Sequence, residues 1–322
     1  MAVASPSTYL AMTEQQRQSF EEQGFIVIQD FFSDAEFRRL LAAIDEVAAQ
    51  VRAEKGLGEN DPFALRNALT HHEAFLDLID NPRILPLVVD AIGWNIQIRT
   101  THLDYRPPYP QDLVPGELGT GEGADHTAGY KNLVWHPDLA GPYLFEAPSL
   151  DGRLPFMEIK VGYYLSDLRQ KNSGAICLVP GSHKRTPQEL RDLNHRVPED
   201  QYIELNVPPN TALVWRTQVW HCVTPNLSDQ VRKVFYVGYH YRWLRPTDYI
   251  QQDPALIARS SPIRRQLLGA LDESAGDPLG GDPFWEPSSR YWLIKNWEDV
   301  PLKKWADEQS GQGPATVEKV HI

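Results

Sequence analysis

Two histidines and an aspartate define the chemistry this chain can attempt. His136 and Asp138 stand two apart in LVWHPDL. In an extended strand, side chains at i and i+2 share a face, so an imidazole and a carboxylate there can converge on one ion. The pattern is not unique, because His102 and Asp104 repeat it in THLDY, and a hydrogen-bonded polar pair on a strand explains a lone copy. His221 gives the second copy a partner. It ends a strand-like run and is followed by the turn PNLSD, after which Arg232 opens another strand. The eleven residues from His221 to Arg232 would put them on opposite faces of one continuous strand. With the turn between them, both are expected to point into one cavity from adjacent strands.

Two histidines and one carboxylate form the facial triad of non-haem iron(II) oxygenases, which leaves one side of the metal open for cosubstrate and dioxygen. Arg232 then has a defined task. A 2-oxoglutarate chelated through its 2-oxo and C1-carboxylate oxygens has a far carboxylate that needs a permanent cation, and a guanidinium offers a bidentate fork. Alone, His221 reads as a satisfied structural histidine and Arg232 as a surface ion pair. Their joint spacing favours ligands and catalytic centre at His136, Asp138 and His221, with Arg232 on the cosubstrate.

Other residues follow from alternation. Trp135 and Trp220 each precede a candidate ligand and should turn away from the metal to pack, as should Cys222. His183, in the turn Pro180-Gly181-Ser182-His183, is expected to be no fourth ligand, and His71 and His72 to be solvated. Val234, Tyr236, Gly238, His240 and Arg242 share the arginine's face. Tyr105, Arg106, Tyr130, Lys131 and Asn132 flank a glycine-rich loop and are candidates for substrate contact, without a spacing argument behind them.

The elements that must position these groups come in two kinds. Thr13 with Gln16, and Ser33 with Glu36, are capping-box patterns opening helices that stop near Gly24 and Gly56. Between them FIVI reads as a strand, and Phe37, Leu40, Leu41, Ile44, Val47, Ala48 and Val51 form the apolar stripe of the second helix. Glu73 to Ile92, interrupted by Pro82 and Pro86, predicts further short helices. From Asn95 onward IQIRTTHLDYR, MEIKVGYYLSDL, GAICLVPG, YIELNV, TALVWR and RKVFYVGYHYRW read as strands. Helices followed by strands imply an α+β, mainly β domain with a sandwich or barrel core. One domain is expected over residues 1–322, with a helical portion at 1–94, a core at 95–245 and an extension at 246–322. The extension holds a helical piece around Ile263 to Leu271 and an aromatic segment, PFWEPSSRYWLIKNW, expected to be anchored. Loop 107–130, rich in proline and glycine, is either a lid or disordered, and its place before His136 favours a lid.

Composition bounds the partners. A net charge of -12 argues against nucleic acid and anionic membranes as partners, since both need a basic patch. Only Cys177 and Cys222 are present, which excludes a disulfide framework or thiolate zinc site and favours a reducing compartment. With neither a secretory signal nor a long apolar run, the chain reads as cytoplasmic, a monomer or homodimer acting on a small-molecule substrate.

WHPD, GYYLSD, VPGSHKR and His221 with PNLSDQVRK resemble the phytanoyl-CoA dioxygenase (PhyH) family of Fe(II)- and 2-oxoglutarate-dependent oxygenases, and TEQQRQSFEEQGFIVIQDFFS is similar to its opening helix, strand and turn. The likeness covers roughly residues 12 to 245. It implies a double-stranded β-helix, of jelly-roll or cupin-like form, iron on His136, Asp138 and His221, and 2-oxoglutarate on Arg232. It favours the second His-x-Asp copy. Pro137 and Val223 depart from the family's frequent glutamine and small hydroxyl residue; Thr224 is a substitute for the latter. Asp138 favours hydroxylation over halogenation, because related halogenases lack this carboxylate. The implied reaction is a dioxygenase oxidation, most simply hydroxylation, of a small organic metabolite with O2, releasing succinate and carbon dioxide. The rivals are a zinc hydrolase or cupin-type isomerase, which has no fixed need for Arg232, and a silent β-sandwich that binds ligand without metal.

Overall fold

The structure is a computed structural model and describes residues 11–109, 135–138, 153–270 and 300–310. Helix α1 (Glu14–Glu22) and helix α2 (Asp34–Lys55) each start at a complete capping box, on Thr13 with Gln16 and Ser33 with Glu36. Gly56 ends α2 in the left-handed conformation, at φ 65°. Strand β1 (Phe25–Ile28) lies between them, followed by β2 (Phe63–Arg66), α3 (Glu73–Leu76) and α4 (Leu85–Ile92). Pro86 does not interrupt α4. It occupies the first turn, where the N–H that proline lacks has no partner in any case.

The strands β3 (Ile96–Arg106), β4 (Glu158–Tyr164), β7 (Thr211–Arg216) and β9 (Arg232–Tyr241) join β1 and β2 in one antiparallel sheet of order β1-β7-β4-β9-β3-β2. A smaller sheet pairs β6 (Ile203–Glu204), β5 (Ile176–Leu178) and β8 (His221–Val223) in that order. Helix α5 (Pro187–Asp192) lies between β5 and β6 in sequence, and α6 (Pro254–Ala258), α7 (Pro262–Leu267) and α8 (Pro301–Gln309) follow β9. The two sheets make the jelly roll.

Alternation along the strands separates three apolar clusters. Ile159, Val161, Tyr163, Phe235, Val237 and Tyr239 face the helices and pack with Ile44, Val47, Phe75 and Val88. On the opposite face Tyr164, Leu213, Trp215, Val234 and Tyr236 meet Ala175, Ile176 and Leu178 of the smaller sheet. Trp135, Cys177, Trp220 and Cys222 form a third cluster on the smaller sheet's outer side. The polar groups considered next lie between the sheets. The segment Leu271 to Trp297, including the aromatic tail, and loop 107–130 beyond residue 109 lie outside the described residues. No described helix is long and apolar enough to cross a membrane.

Candidate metal centre

Strand β8 is only three residues long, and its alternation sends His221 inward while Cys222 packs outward. Residue 136 extends the pairing. Its N–H donates to the His221 carbonyl at 3.0 Å, and the His221 N–H returns the bond to the His136 carbonyl at 2.9 Å. This reciprocal bridge brings the two imidazoles to 4.5 Å between ring centres. Two residues on, the Asp138 N–H donates to the Thr217 carbonyl at 2.8 Å, which turns the carboxylate back towards the histidines. Ligand atoms of His136, Asp138 and His221 all lie within 4.8 Å of one another.

The electrostatics suit a cation. His221 Nδ1 stands 2.9 Å from the Val219 carbonyl, which can only accept, so Nδ1 carries the proton and Nε2 keeps its lone pair. Nε2 lies 3.8 Å from Asp138 Oδ2. Burial pushes the His221 pKa down to about 4 against the pull of Asp138, so the ring is neutral near pH 7. Burial would raise Asp138, but Lys160 and the two imidazoles outweigh it and hold the carboxyl well below its usual range. Two imidazole nitrogens and one carboxylate oxygen suit a first-row divalent ion, and the hydrogen bond on the far nitrogen of His221 is the support that metal-bound histidines ordinarily have.

The first His-x-Asp copy sits opposite, on β3, with no third ligand group gathered around it among the described residues. His102 lies against the Tyr236 ring at 4.5 Å, and its Nδ1 accepts from Arg66 at 3.3 Å. Asp104 accepts from Arg106 Nε at 3.2 Å and from Arg232 Nη1. Burial opposes ionisation of Asp104, yet the two guanidiniums keep it ionised.

Arg232 is fully buried. Nη2 donates to the Tyr236 hydroxyl at 2.7 Å, while Nε has no partner among the described residues. The expected adjacency of the strands carrying His221 and Arg232 is corrected here. β8 and β9 belong to different sheets, because the turn at Pro225 to Asp229 crosses from one to the other, and Asn226 bridges to Ser173 on the way. The two residues therefore face the same interior from opposite walls, linked through Trp215 and Tyr236, whose ring centres are 6.0 Å apart.

The remaining candidates divide. Thr224 is buried, and its hydroxyl donates to the Ala175 carbonyl at 3.2 Å, so that proton is committed to backbone. Arg106 shares the interior with Asp104. Tyr105 points the other way, stacked on Phe63 at 5.1 Å with the Arg52 guanidinium over it at 5.3 Å, because odd and even residues of β3 face opposite sides. That placement puts it on the face away from the metal cluster. Tyr130, Lys131 and Asn132 lie outside the described residues. His183 is not part of the cluster, and its Nε2 lies 3.2 Å from the Glu21 carbonyl. His72 caps α3 through Nδ1, at 3.0 Å from the Ala74 N–H, so it is more engaged than a solvated histidine.

Sequence reasoning missed Lys160. Its ammonium donates to Asp138 Oδ2 at 2.8 Å and lies 5.7 Å from the Trp215 ring and 5.8 Å from the Tyr236 ring. The signal was a lysine between Ile159 and Val161 in a strand whose only other charged residue is Glu158, where an unpaired charge is prohibitively costly.

Comparison with known proteins adds a frame. The profile of the family described as phytanoyl-CoA dioxygenase (PhyH) matches residues 20–234. An ectoine dioxygenase of Bordetella parapertussis is 25% identical over 214 residues, covering 61% of this chain and 61% of that protein, so the chain spans under two thirds of that relative's length. A probable alpha-ketoglutarate-dependent hypophosphite dioxygenase of Stutzerimonas stutzeri is 22% identical over 254 residues, covering 71% of this chain and 78% of that protein. Among solved structures, HygX from Streptomyces hygroscopicus, with nickel and 2-oxoglutarate bound, superposes at a TM-score of 0.53 and 18% identity over 76% of this chain and 92% of that one. The carbocyclase SnoK from nogalamycin biosynthesis superposes at 0.52 and 20% identity, over 80% and 94%.

Proposed function

Because the chain belongs to the phytanoyl-CoA dioxygenase family, we propose that it is an iron(II)- and 2-oxoglutarate-dependent dioxygenase that hydroxylates a C–H bond of a small organic metabolite. The observation that carries this reading is the convergence of His136, Asp138 and His221 within 4.8 Å, from segments far apart in sequence, in an interior that also buries Arg232. Iron(II), 2-oxoglutarate and dioxygen together supply the oxidation, with succinate and carbon dioxide as the by-products.

The chain's own residues hold and orient. His136, Asp138 and His221 would hold the metal. Val219, through its carbonyl, keeps the His221 ring in the tautomer that offers Nε2. Arg232 would bind the far carboxylate of 2-oxoglutarate with donors that Asp104 and Tyr236 leave unfilled, the orphaned Nε among them. Its charge is permanent, and burial strengthens the interaction. Tyr236 holds the guanidinium in place through its hydroxyl, and the apolar walls from Trp215, Leu213 and Val234 restrict water around the reacting C–H bond. The relatives' names point to small-molecule substrates, ectoine and hypophosphite, and that class supports a small-molecule substrate here.

The test is anaerobic reconstitution with iron(II) and 2-oxoglutarate, followed by a substrate screen on succinate release. The expected result is the visible charge-transfer band of the chelate. Its absence from folded, metal-loaded protein sinks the assignment.

A further inference from the structure

The strand register lays one row of side chains across the interior face of the large sheet. Gly162 pairs with Tyr236, Tyr236 with His102, and His102 with Arg66. Gly162 leaves room for the Tyr236 ring, since a Cβ there would lie 3.0 Å from it. The row therefore runs from the neighbourhood of Lys160 and Asp138, across the Tyr236 ring, to an exposed arginine at the edge strand β2. It leaves the metal cluster in the direction of β3 and β2, whereas Arg232 lies further along β9.

Arg66 ends this row without an acidic partner. Its Nη1 donates to His102 Nδ1 at 3.3 Å and lies 3.5 Å from the Thr100 hydroxyl, and no described carboxylate is within ion-pair distance. A guanidinium only donates, so Nδ1 of His102 accepts and the neutral ring carries its proton on Nε2. Burial, then Lys160 and Arg66, keep that ring neutral. Nε2–H has no acceptor among the described residues. Two donor groups, one of them charged, thus stand side by side with acceptors missing.

The charge balance of the interior gives the same sign. Arg99 pairs with Glu158, Lys160 with Asp138, and Arg106 and Arg232 share Asp104, while Arg66, at the exposed edge, reaches Asp248 only through the Thr100 hydroxyl and forms no direct ion pair. With Asp248, which accepts from the Thr100 hydroxyl beside Arg66 at 2.7 Å, five cations thus face four carboxylates among the described residues. A divalent ion and a dianionic cosubstrate cancel, so the excess persists in the loaded site. The chain as a whole carries -12, which makes a local positive excess a feature of this interior and not of the surface at large.

We propose that Arg66 and His102 form a subsite for an anionic oxygen group, a carboxylate or phosphonate, on the substrate, which places its C–H bond over the metal at the other end of the row. This inference rests on the dioxygenase reading above, and the test separates the two. Wild type, Arg66→Lys and Arg66→Met are loaded anaerobically with iron(II) and 2-oxoglutarate. A visible chelate band in each reports an intact metal and cosubstrate site; its absence from wild type overturns the dioxygenase reading instead.

The loaded proteins are then titrated with benzoate, benzamide and methylphosphonate, following the band and tryptophan fluorescence. Benzoate or methylphosphonate should bind wild type without displacing 2-oxoglutarate, about tenfold more weakly in Arg66→Met and to an intermediate degree in Arg66→Lys, since losing one charge-assisted contact has about that effect. Benzamide should bind all three weakly and alike. The relative strength of the two anions tells carboxylate from phosphonate. Equal anion binding in wild type and Arg66→Met overturns the subsite, as does a preference for benzamide, binding only by displacement of 2-oxoglutarate, or no anion binding to loaded wild type.

Discussion

A lysine in the middle of a fully buried strand needs a charge to answer it, and Lys160 finds that charge on Asp138. The pairing shows why this partly buried carboxylate stays ionised, ready for a divalent ion. Replacing His221 or Asp138 by Ala is expected to abolish iron binding by calorimetry, and with it turnover; retained turnover in either variant contradicts the ligand assignment. Arg232→Ala should behave differently, sparing the metal but weakening 2-oxoglutarate at least tenfold, as expected for loss of a buried charge-assisted contact. An unchanged affinity would move the cosubstrate elsewhere. The second His-x-Asp copy was legible only through its distant partner His221. His102 was legible only as the rival copy of the motif and Arg66 not at all, because the spacing of a sequence does not reveal which strands become neighbours.

At the scale of elements, short signals fixed ends and tertiary pairing fixed neighbours. The capping boxes on Thr13 and Ser33 are complete in the structure, as their residue types require. Ser33→Ala is expected to cost about 1 kcal/mol in urea unfolding, the usual value of an N-cap. β8, three residues long, could not be told from the turn around it by periodicity, and its role comes from the bridge to residue 136. Gly174 shows an element constraining a site. It adopts φ +83°, and a Cβ there would lie 2.5 Å from Arg232 Cδ. Gly174→Ala should therefore shift Arg232 and raise the 2-oxoglutarate KM without loss of iron. A variant with native KM would show that the arginine does not depend on this close approach.

For the whole molecule, burial between two sheets couples stability to pH and to metal. His240 is 1% exposed and its pKa is pushed down to about 3, by burial first and Arg99 second. Its ordinary value is about 6.5, so below that pH the unfolded chain takes up a proton that the folded one refuses. Stability should fall on acidification by up to about 1.4 kcal/mol per pH unit from this group between roughly pH 6.5 and 3. Urea midpoints for His240→Gln should show a shallower decline; an identical slope would assign the loss to other groups. Metal acts in the opposite direction: iron(II) at about 100 times its Kd should add about 2.7 kcal/mol, and chelation should lower Tm accordingly. The sequence by itself determined the helix ends, the strand faces, the outward packing of Trp135, Trp220 and Cys222, and the donor types for a metal, because these depend on local capping and on a period of two. Only the tertiary structure decided that β8 and β9 face each other from separate sheets, that Tyr105 leaves the interior while Lys160 and His102 enter it, and that Arg66 reaches the same row. Those facts depend on which strands pair and in which register, and pairing is a contest among all strands at once that no local stretch of sequence records.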